Sequence, residues 1–265
     1  MNTSAIVADM SISDYHAHPS VSKSQLDRLA ISPAHYKWPP EKQTKATAFG
    51  AALHDFVLSP DVFDVTYAIK PIGFNGTTKA GKELQAAWDE QGLIAVTYAD
   101  FQAIKHIHEQ IMTIPKARHL LSHGQPEVSH FWTDHDTGVQ CRCRPDWTPD
   151  GLPWLLDLKT TVDASPRGFS RSMANYRYHV QAAFYSDGVE ATTGHQIANF
   201  LFLAVEKESP YAVALYELPP SAIDLGRALY RRDLQTYADA VMHDDWPAYG
   251  QDIQQIDLPA WAYNV

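Results

Sequence analysis

A chain of 265 residues, 45% hydrophobic and 20% charged, is ordinary for a globular protein and large enough for its own core, which excludes disorder as its main state. A formal net charge of −10 argues, taken alone, against a nucleic-acid partner. The two cysteines, Cys141 and Cys143, are too few for a disulfide framework or a four-cysteine zinc site; as reduced residues they fit a cytoplasmic location, as does a start without a basic, apolar leader and a chain without a membrane-length apolar run.

In chain order, residues 1–20 are polar and read as loose or arm-like. A helix is predicted over Ser22–Tyr36, capped by Ser22 or Ser24 and broken at Ser32-Pro33, and a second over Ala46–Leu58, stopped by Ser59-Pro60. Gly73–Gly81 has loop chemistry. Lys82–Glu90 and Asp100–Ile114 follow as helices, the latter with Phe101, Ile104, Ile107 and Ile111 at helical intervals. Strands are then predicted over Val128–Asp134, Val139–Arg144 and Trp154–Thr160, with turns at Asp136-Thr137-Gly138 and Pro149-Asp150-Gly151. The second alternates strictly, Val139, Cys141 and Cys143 on one face and Gln140, Arg142 and Arg144 on the other. A helix over Phe169–Glu190, strands over Ile197–Glu206 and Tyr211–Leu218, and a helix over Pro219–Met242 complete the order. The tail, residues 243–265, reads as irregular but packed, with Trp246 and Trp261 as packing anchors or subunit contacts. The expectation is one α/β domain, a mixed central sheet flanked by helices with helical additions at the N-terminus, its catalytic sheet and helix spanning residues 125–218.

The sharpest local feature is Asp157-Leu158-Lys159 at the end of an apolar strand. Residues two apart on a strand share a face, so Asp157 and Lys159 project together while Leu158 turns to the core and offers its carbonyl at the strand edge. Charges directly after a buried strand are costly without a use or a partner. Asp146 stands eleven residues earlier in Pro145-Asp146, and the turn at Pro149–Gly151 folds the second strand back on the third, bringing the two carboxylates side by side. Two carboxylates and a carbonyl make a hard oxygen site suited to Mg²⁺, with Mn²⁺ able to substitute. A metal there polarises phosphate, and Lys159 orients water or steadies phosphate charge. A bare Asp-x-Lys is usually a surface ion pair; the full arrangement is more specific.

That arrangement resembles the PD-(D/E)xK nuclease superfamily, with its restriction-endonuclease-like core. Further elements resemble its exonuclease branches: Gly50-Ala51-Ala52-Leu53-His54 as the G-x-x-x-H element, Glu127 as a carboxylate before the first strand, Gln181 and Tyr185 as Q-x-x-x-Y, and Ser22-Lys23-Ser24-Gln25-Leu26 with Ser32-Pro33 and Tyr36 as the N-terminal signature. Together they resemble RecE-type exonucleases, the nuclease domain of exodeoxyribonuclease VIII. The resemblance implies two Mg²⁺ held by Asp146, Asp157 and the Leu158 carbonyl with help from His54 and Glu127, and Gln181 and Tyr185 as holders of the lysine or of DNA phosphate. It also implies 5′-to-3′ digestion of double-stranded DNA ends for recombination, a ring-shaped homo-oligomer (tetramer favoured over trimer), a single-strand annealing partner protein and a prophage origin.

Plainer readings stand beside these. His54 alone reads as a packed helix residue, Glu127 as a solvated charge, and Gln181 and Tyr185 as helix surface and core. Ser22, Ser24 and Arg28 suit a terminal phosphate as well as they suit a plain cap and a surface arginine. The basic clusters Lys37, Lys42 and Lys45; Arg142 and Arg144; Arg167, Arg171 and Arg177; and Arg227, Arg231 and Arg232 offer a local basic surface or merely solvated faces. The alternatives in function are an endonuclease of the same superfamily, of restriction or junction-resolving type, and a non-catalytic DNA-binding module. An iron–sulfur nuclease is disfavoured by the cysteine count.

Overall fold

The computed structural model describes residues 4–39, 48–250 and 252–263, and the backbone alone at 260 and 261. Lys42, Lys45 and Ala46 therefore lie outside the described residues. In chain order the elements are β1 (Ala5–Val7), α1 (Ile12–Ala17), α2 (Lys23–Ile31), α3 (Pro33–Lys37), α4 (Ala48–Leu58), α5 (Pro60–Thr66), β2 (Tyr67–Ile69), α6 (Lys79–Glu90), β3 (Ile94–Val96), α7 (Tyr98–Thr113), α8 (Pro115–Leu121), β4 (Gly124–Pro126), β5 (Ser129–Thr133), β6 (Gln140–Cys143), β7 (Trp147–Pro149), β8 (Trp154–Thr161), α9 (Pro166–Asn175), α10 (Tyr178–Thr193), β9 (Asn199–Glu206), β10 (Val213–Glu217) and α11 (Pro220–His243), with a short 3₁₀ turn at Ala260–Tyr263.

The central sheet is five-stranded in the order β10-β9-β8-β7-β4. β8 and β9 run parallel, Trp154 opposite Asn199 through Thr161 opposite Glu206, and the other neighbours are antiparallel, so the sheet is mixed. A parallel pair needs a crossover, which α9 and α10 supply. Alternation along β8 and β9 sorts their side chains into two layers. Leu155, Phe200, Phe202 and Ala204 pack under α10, α11 and α2, while Leu156, Leu158, Leu201, Leu203 and Val205 pack under α4, α7 and α8. Leu155 and Leu156 are both fully buried, each worth roughly 1.5–3 kcal/mol of stability.

The one-sheet expectation is corrected: β1, β5 and β6 form a separate antiparallel sheet, and β2 and β3 a small parallel one. The predicted second strand thus pairs with the first rather than folding back on the third. The short β7, two residues beyond Pro145, makes that hairpin instead through Trp147 opposite Leu156. Of the two expectations for the N-terminal segment, loose or arm-like, looseness does not hold for the described residues from 4 on. Residues 5–7 pair with β5 and Tyr15 is buried. Arg142 and Arg144, which belong to a predicted basic face, are both buried under this arm. Arg142 donates to the His18 and Ser20 carbonyls, and Arg144 to the Met10 carbonyl and to Ser129 Oγ at 2.9 Å.

Two predicted helices are each divided. Ser32 ends α2 and starts α3, its hydroxyl accepting from the His35 N–H at 3.3 Å. The helix expected over Phe169–Glu190 breaks between α9 and α10 at Arg177, whose φ of 52° is left-handed. Among the described residues the tail packs at its start, and the Trp261 side chain lies outside them. Trp246 stacks on Tyr36 with ring centroids 5.8 Å apart, whereas residues 252–259 are exposed, Ile253 and Ile256 almost wholly.

Candidate active site

β7 covers β8 only at the Trp147–Leu156 pair, so past Leu156 the edge of β8 turned away from β9 opens toward the segment that carries Asp146. Asp146 Oδ2 accepts the Leu158 N–H at 2.8 Å. An extended residue points its N–H and carbonyl to the same edge, so the Leu158 carbonyl opens on the Asp146 side. Asp157 and Lys159, with the parity of Leu155, lie on the α10 layer. Sequence and structure agree here for a simple reason: a buried strand fixes side-chain parity whatever its neighbours are.

Asp157 is 0% exposed. Its Oδ1 accepts a hydrogen bond from Gln181 Nε2. Its Oδ2 forms a buried ion pair with Lys159 Nζ at 2.6 Å and receives no well-aligned hydrogen bond. Burial and the neighbouring Asp146 push the Asp157 carboxyl up to about 6, and Lys159 and His54 offset only part of that. Burial also disfavours the Lys159 ammonium, but Asp157 and Asp146 outweigh it and hold the group charged above its ordinary value. Lys159 Nζ rests 4.9 Å from the Tyr178 ring centroid.

His54 comes from α4, which buries Ala52, Leu53, Val57 and Leu58 and so turns the imidazole toward the carboxylates. His54 Nε2 is 3.4 Å from Asp146 Oδ2, and Nδ1 is 3.5 Å from Glu127 Oε1 and 3.7 Å from Asp55 Oδ1. Glu127 is delivered by a left-handed backbone, φ 49°, whose N–H donates to the Asp146 carbonyl at 3.2 Å. Burial opposes charge on His54, but Asp146, then Asp55 and Glu127, raise it well above its ordinary value. For Asp146, burial pushes up while His54, Lys159 and the Leu158 N–H pull down and win.

Asp146, Asp157, Lys159, His54, Glu127 and Gln181 are thus brought together. Gln181 reaches Asp157 itself. Tyr185, one turn further along α10, is partly buried against the same core layer. Burial, then Tyr15 and Asp157, raise its phenol well above its ordinary range, so it stays protonated. Ser22 caps α2: its N–H and hydroxyl donate to Gln25 Oε1 at 2.8 and 2.9 Å. Among the described residues no hydrogen bond or ion pair ties Ser22, Ser24 or Arg28 to the carboxylates; Lys23 is the α2 side chain that reaches toward Lys159. Asp55 and Tyr178 escape the sequence reading. Asp55 looks like an ordinary helix-surface acid, although its place beside His54 was a usable signal.

The donors fall into two groups that meet at His54. His54, Asp55 and Glu127 offer ligand atoms within 4.8 Å of one another. Asp146, Asp157 and the Leu158 carbonyl form the other. The second is an all-oxygen set, which suits a hard divalent cation, whereas the first includes an imidazole nitrogen.

Five of the eight arginines in the predicted basic clusters form ion pairs within the chain. Arg144 pairs with Glu127, Arg177 with Asp27 and Asp233, Arg227 with Asp187 and Asp224, Arg231 with Asp134 and Asp136, and Arg232 with Asp233.

Residues 22–259 match a family model described as a PDDEXK-like domain of unknown function, DUF3799. The chain belongs to this family. The family's PD-(D/E)xK fold and the mixed α/β architecture agree. A solved structure from Eubacterium rectale, described as a candidate exonuclease, superimposes with a TM-score of 0.62 at 14% identity over 96% of this chain and 97% of that one, a likeness of fold. A second solved structure, described as SSO0001, overlaps with a TM-score of 0.31 at 12% identity over 91% of this chain and 90% of that one, too loosely to carry an argument. Curated proteins yield no match. Among the described residues no helix is long and apolar enough to cross a membrane.

Proposed function

We propose that this DUF3799 domain is a metal-dependent nuclease that hydrolyses phosphodiester bonds of DNA. The observation that carries the reading is the convergence of Asp146, Asp157 and Lys159 on the open edge of β8, with a buried carboxylate oxygen of Asp157 left without an aligned donor. Asp146, Asp157 and the Leu158 carbonyl would hold Mg²⁺ or, in its place, Mn²⁺, with His54, Asp55 and Glu127 beside them as a second donor group. A divalent cation bound there supplies Lewis-acid polarisation of the phosphate and support for the charge that builds on it.

The chain's own groups do the positioning. Gln181 fixes the Asp157 carboxylate by its Oδ1, while Oδ2 faces Lys159. Lys159 stays an ammonium, so it serves as a donor to the attacking water or to a phosphate oxygen rather than as a base. Water adds to phosphorus, the P–O bond to the leaving oxygen breaks, and that oxygen takes up a proton. The Tyr185 phenol lies within electrostatic reach of both carboxylates.

The finer reading is an exonuclease of RecE type that degrades duplex DNA from its ends, 5′ to 3′, in a ring of subunits working with a single-strand annealing protein. His54 and Gln181 support it, since both reach the carboxylates as the exonuclease elements require, and so does the fold shared with the Eubacterium rectale candidate exonuclease. Linear and covalently closed duplexes of one sequence, incubated with Mg²⁺, test it: linear DNA is consumed and closed circles persist. Equal attack on both would instead favour an endonuclease.

A further inference from the structure

Beside Lys159 and Gln181 a cleft of about 590 Å³ opens to the surface, walled by Lys23, Tyr176 and Tyr178. Its size falls within the roughly 300–1,000 Å³ of sites for small-molecule-sized ligands. Tyr176 and Tyr178 stack with centroids 5.6 Å apart and 28° between planes, and Tyr176, at the lip, is 62% exposed. Tyr176 owes this position to the break between α9 and α10, where the left-handed Arg177 is clamped by Asp27 and Asp233. The Tyr176 ring thus packs on Tyr178 and still presents most of its surface to solvent.

The charge of the cleft points to an anion. Lys159 Nζ and Lys23 Nζ lie 4.9 and 5.9 Å from the Tyr178 centroid, two cations on one ring. Lys23 is held in place by the Tyr176 carbonyl and Asp27, each at 2.7 Å. Lys23, Lys159 and Arg177 line the cleft against a single lining carboxylate, Asp27, which pairs with both Lys23 and Arg177.

We propose that this cleft seats an unpaired nucleotide of the strand being cut, with its base stacked on Tyr176 and its phosphate against Lys23. The proposal rests on the nuclease reading above and sharpens its substrate. An aromatic platform needs a free base face. Inside a continuous duplex both faces of every base are covered, so only a terminal, frayed or single-stranded nucleotide can dock. The cleft thereby selects DNA ends at the level of the first nucleotide.

The test follows release of the first nucleotide in single turnovers with Mg²⁺, using wild type, Tyr176→Ala and Tyr176→Phe. Linear duplexes carry a normal terminal nucleotide or an abasic one at either the 5′ or the 3′ end. Tyr176 is exposed, so neither change threatens the fold. Tyr176→Ala raises the half-saturating DNA concentration about 5- to 150-fold while the maximal rate changes little, and Tyr176→Phe restores binding. An abasic nucleotide at one of the two ends costs wild type a similar factor and costs Tyr176→Ala little more, which also identifies the end that enters first. Lys23→Gln lowers the salt slope by about 0.7, one single-strand phosphate contact. Equal half-saturation by wild type and Tyr176→Ala, or losses that multiply in full when both base and ring are removed, would overturn the platform while leaving the nuclease intact. A wild-type protein that cleaves no DNA with Mg²⁺ or Mn²⁺ overturns the nuclease reading and the platform together.

Discussion

Asp157→Asn is expected to make the metal-free protein more stable. The Asp157 carboxyl is fully buried, and its pKa stands at about 6 against an ordinary 3.8. Between about pH 4 and pH 6 the folded chain keeps a proton that the unfolded chain has released. Stability therefore falls as pH rises through that window, and the full penalty is present above it. A rise from 3.8 to about 6 is worth about 3 kcal/mol. Asparagine keeps the oxygen that accepts from Gln181 and removes the charge. In a chain of this length 1 kcal/mol moves the melting temperature by roughly 2–4 °C, so the gain is roughly 6–12 °C. Thermal unfolding in EDTA at pH 7.5 and at pH 4.5 reads it directly: Asp157→Asn melts higher at pH 7.5, and the gap closes at the lower pH. Addition of Mg²⁺ reverses the order, because only the wild type gains binding energy in the folded state. A lower melting temperature for Asp157→Asn in EDTA at pH 7.5 would refute the reasoning, since the Asp157–Lys159 pair would then be a structural ion pair and not a strained cation site.

Other substitutions probe the remaining walls. His54 is charged in the free protein, so cation binding by its imidazole must expel about one proton near pH 7, and the calorimetric heat of Mn²⁺ binding then varies with the ionisation enthalpy of the buffer. A buffer-independent heat rules out His54 as a ligand. Gln181→Ala strips the hydrogen bond from Asp157 Oδ1 and lowers cation affinity or turnover about 10- to 100-fold; since that bond favours the charged carboxylate, the acid limb of the activity profile moves to higher pH. An unshifted profile at full activity counts against the holding role. Arg142→Ala deletes a buried cation that bonds two carbonyls of the N-terminal arm, which costs about 3 kcal/mol and exposes residues 4–20 to protease. An arm that stays protected in this variant would mean that β1 and Tyr15 hold it unaided.

The strand carrying Asp157 and Lys159 was legible because alternation in a buried strand depends on local sequence alone. Gln181 and Tyr185 were legible as a helical pair, but the target of Gln181 was not: which group a helix face meets depends on the crossover that lays α10 over β8. Arg142 and Arg144 show the same limit from the other side. Alternation places them opposite Cys141 and Cys143, as found, yet nothing local reveals that residues 5–20 return to cover them. The break at Arg177 was hidden because the apolar pattern runs on and no glycine or proline marks it; the residue is held left-handed by Asp27 and Asp233, both distant in sequence. The β7 hairpin was half legible. Its turn at Pro149–Gly151 was clear, whereas the transfer of the chain from one sheet to the next at Arg144–Asp146 is a tertiary event. That transfer is what sets Asp146 against the Leu158 N–H.

The central claim is that Asp157 and Lys159 cut DNA and do not merely hold the fold. Its most direct test is the first-order rate of linear duplex digestion with Mg²⁺ for wild type, Asp157→Ala and Lys159→Ala, with DNA binding measured alongside in Ca²⁺. The account predicts that both variants lose cutting by at least about 100-fold, on the scale of removing one preorganised charge from a hydrolytic site, while each still binds DNA. Cutting at the wild-type rate by either variant would contradict it.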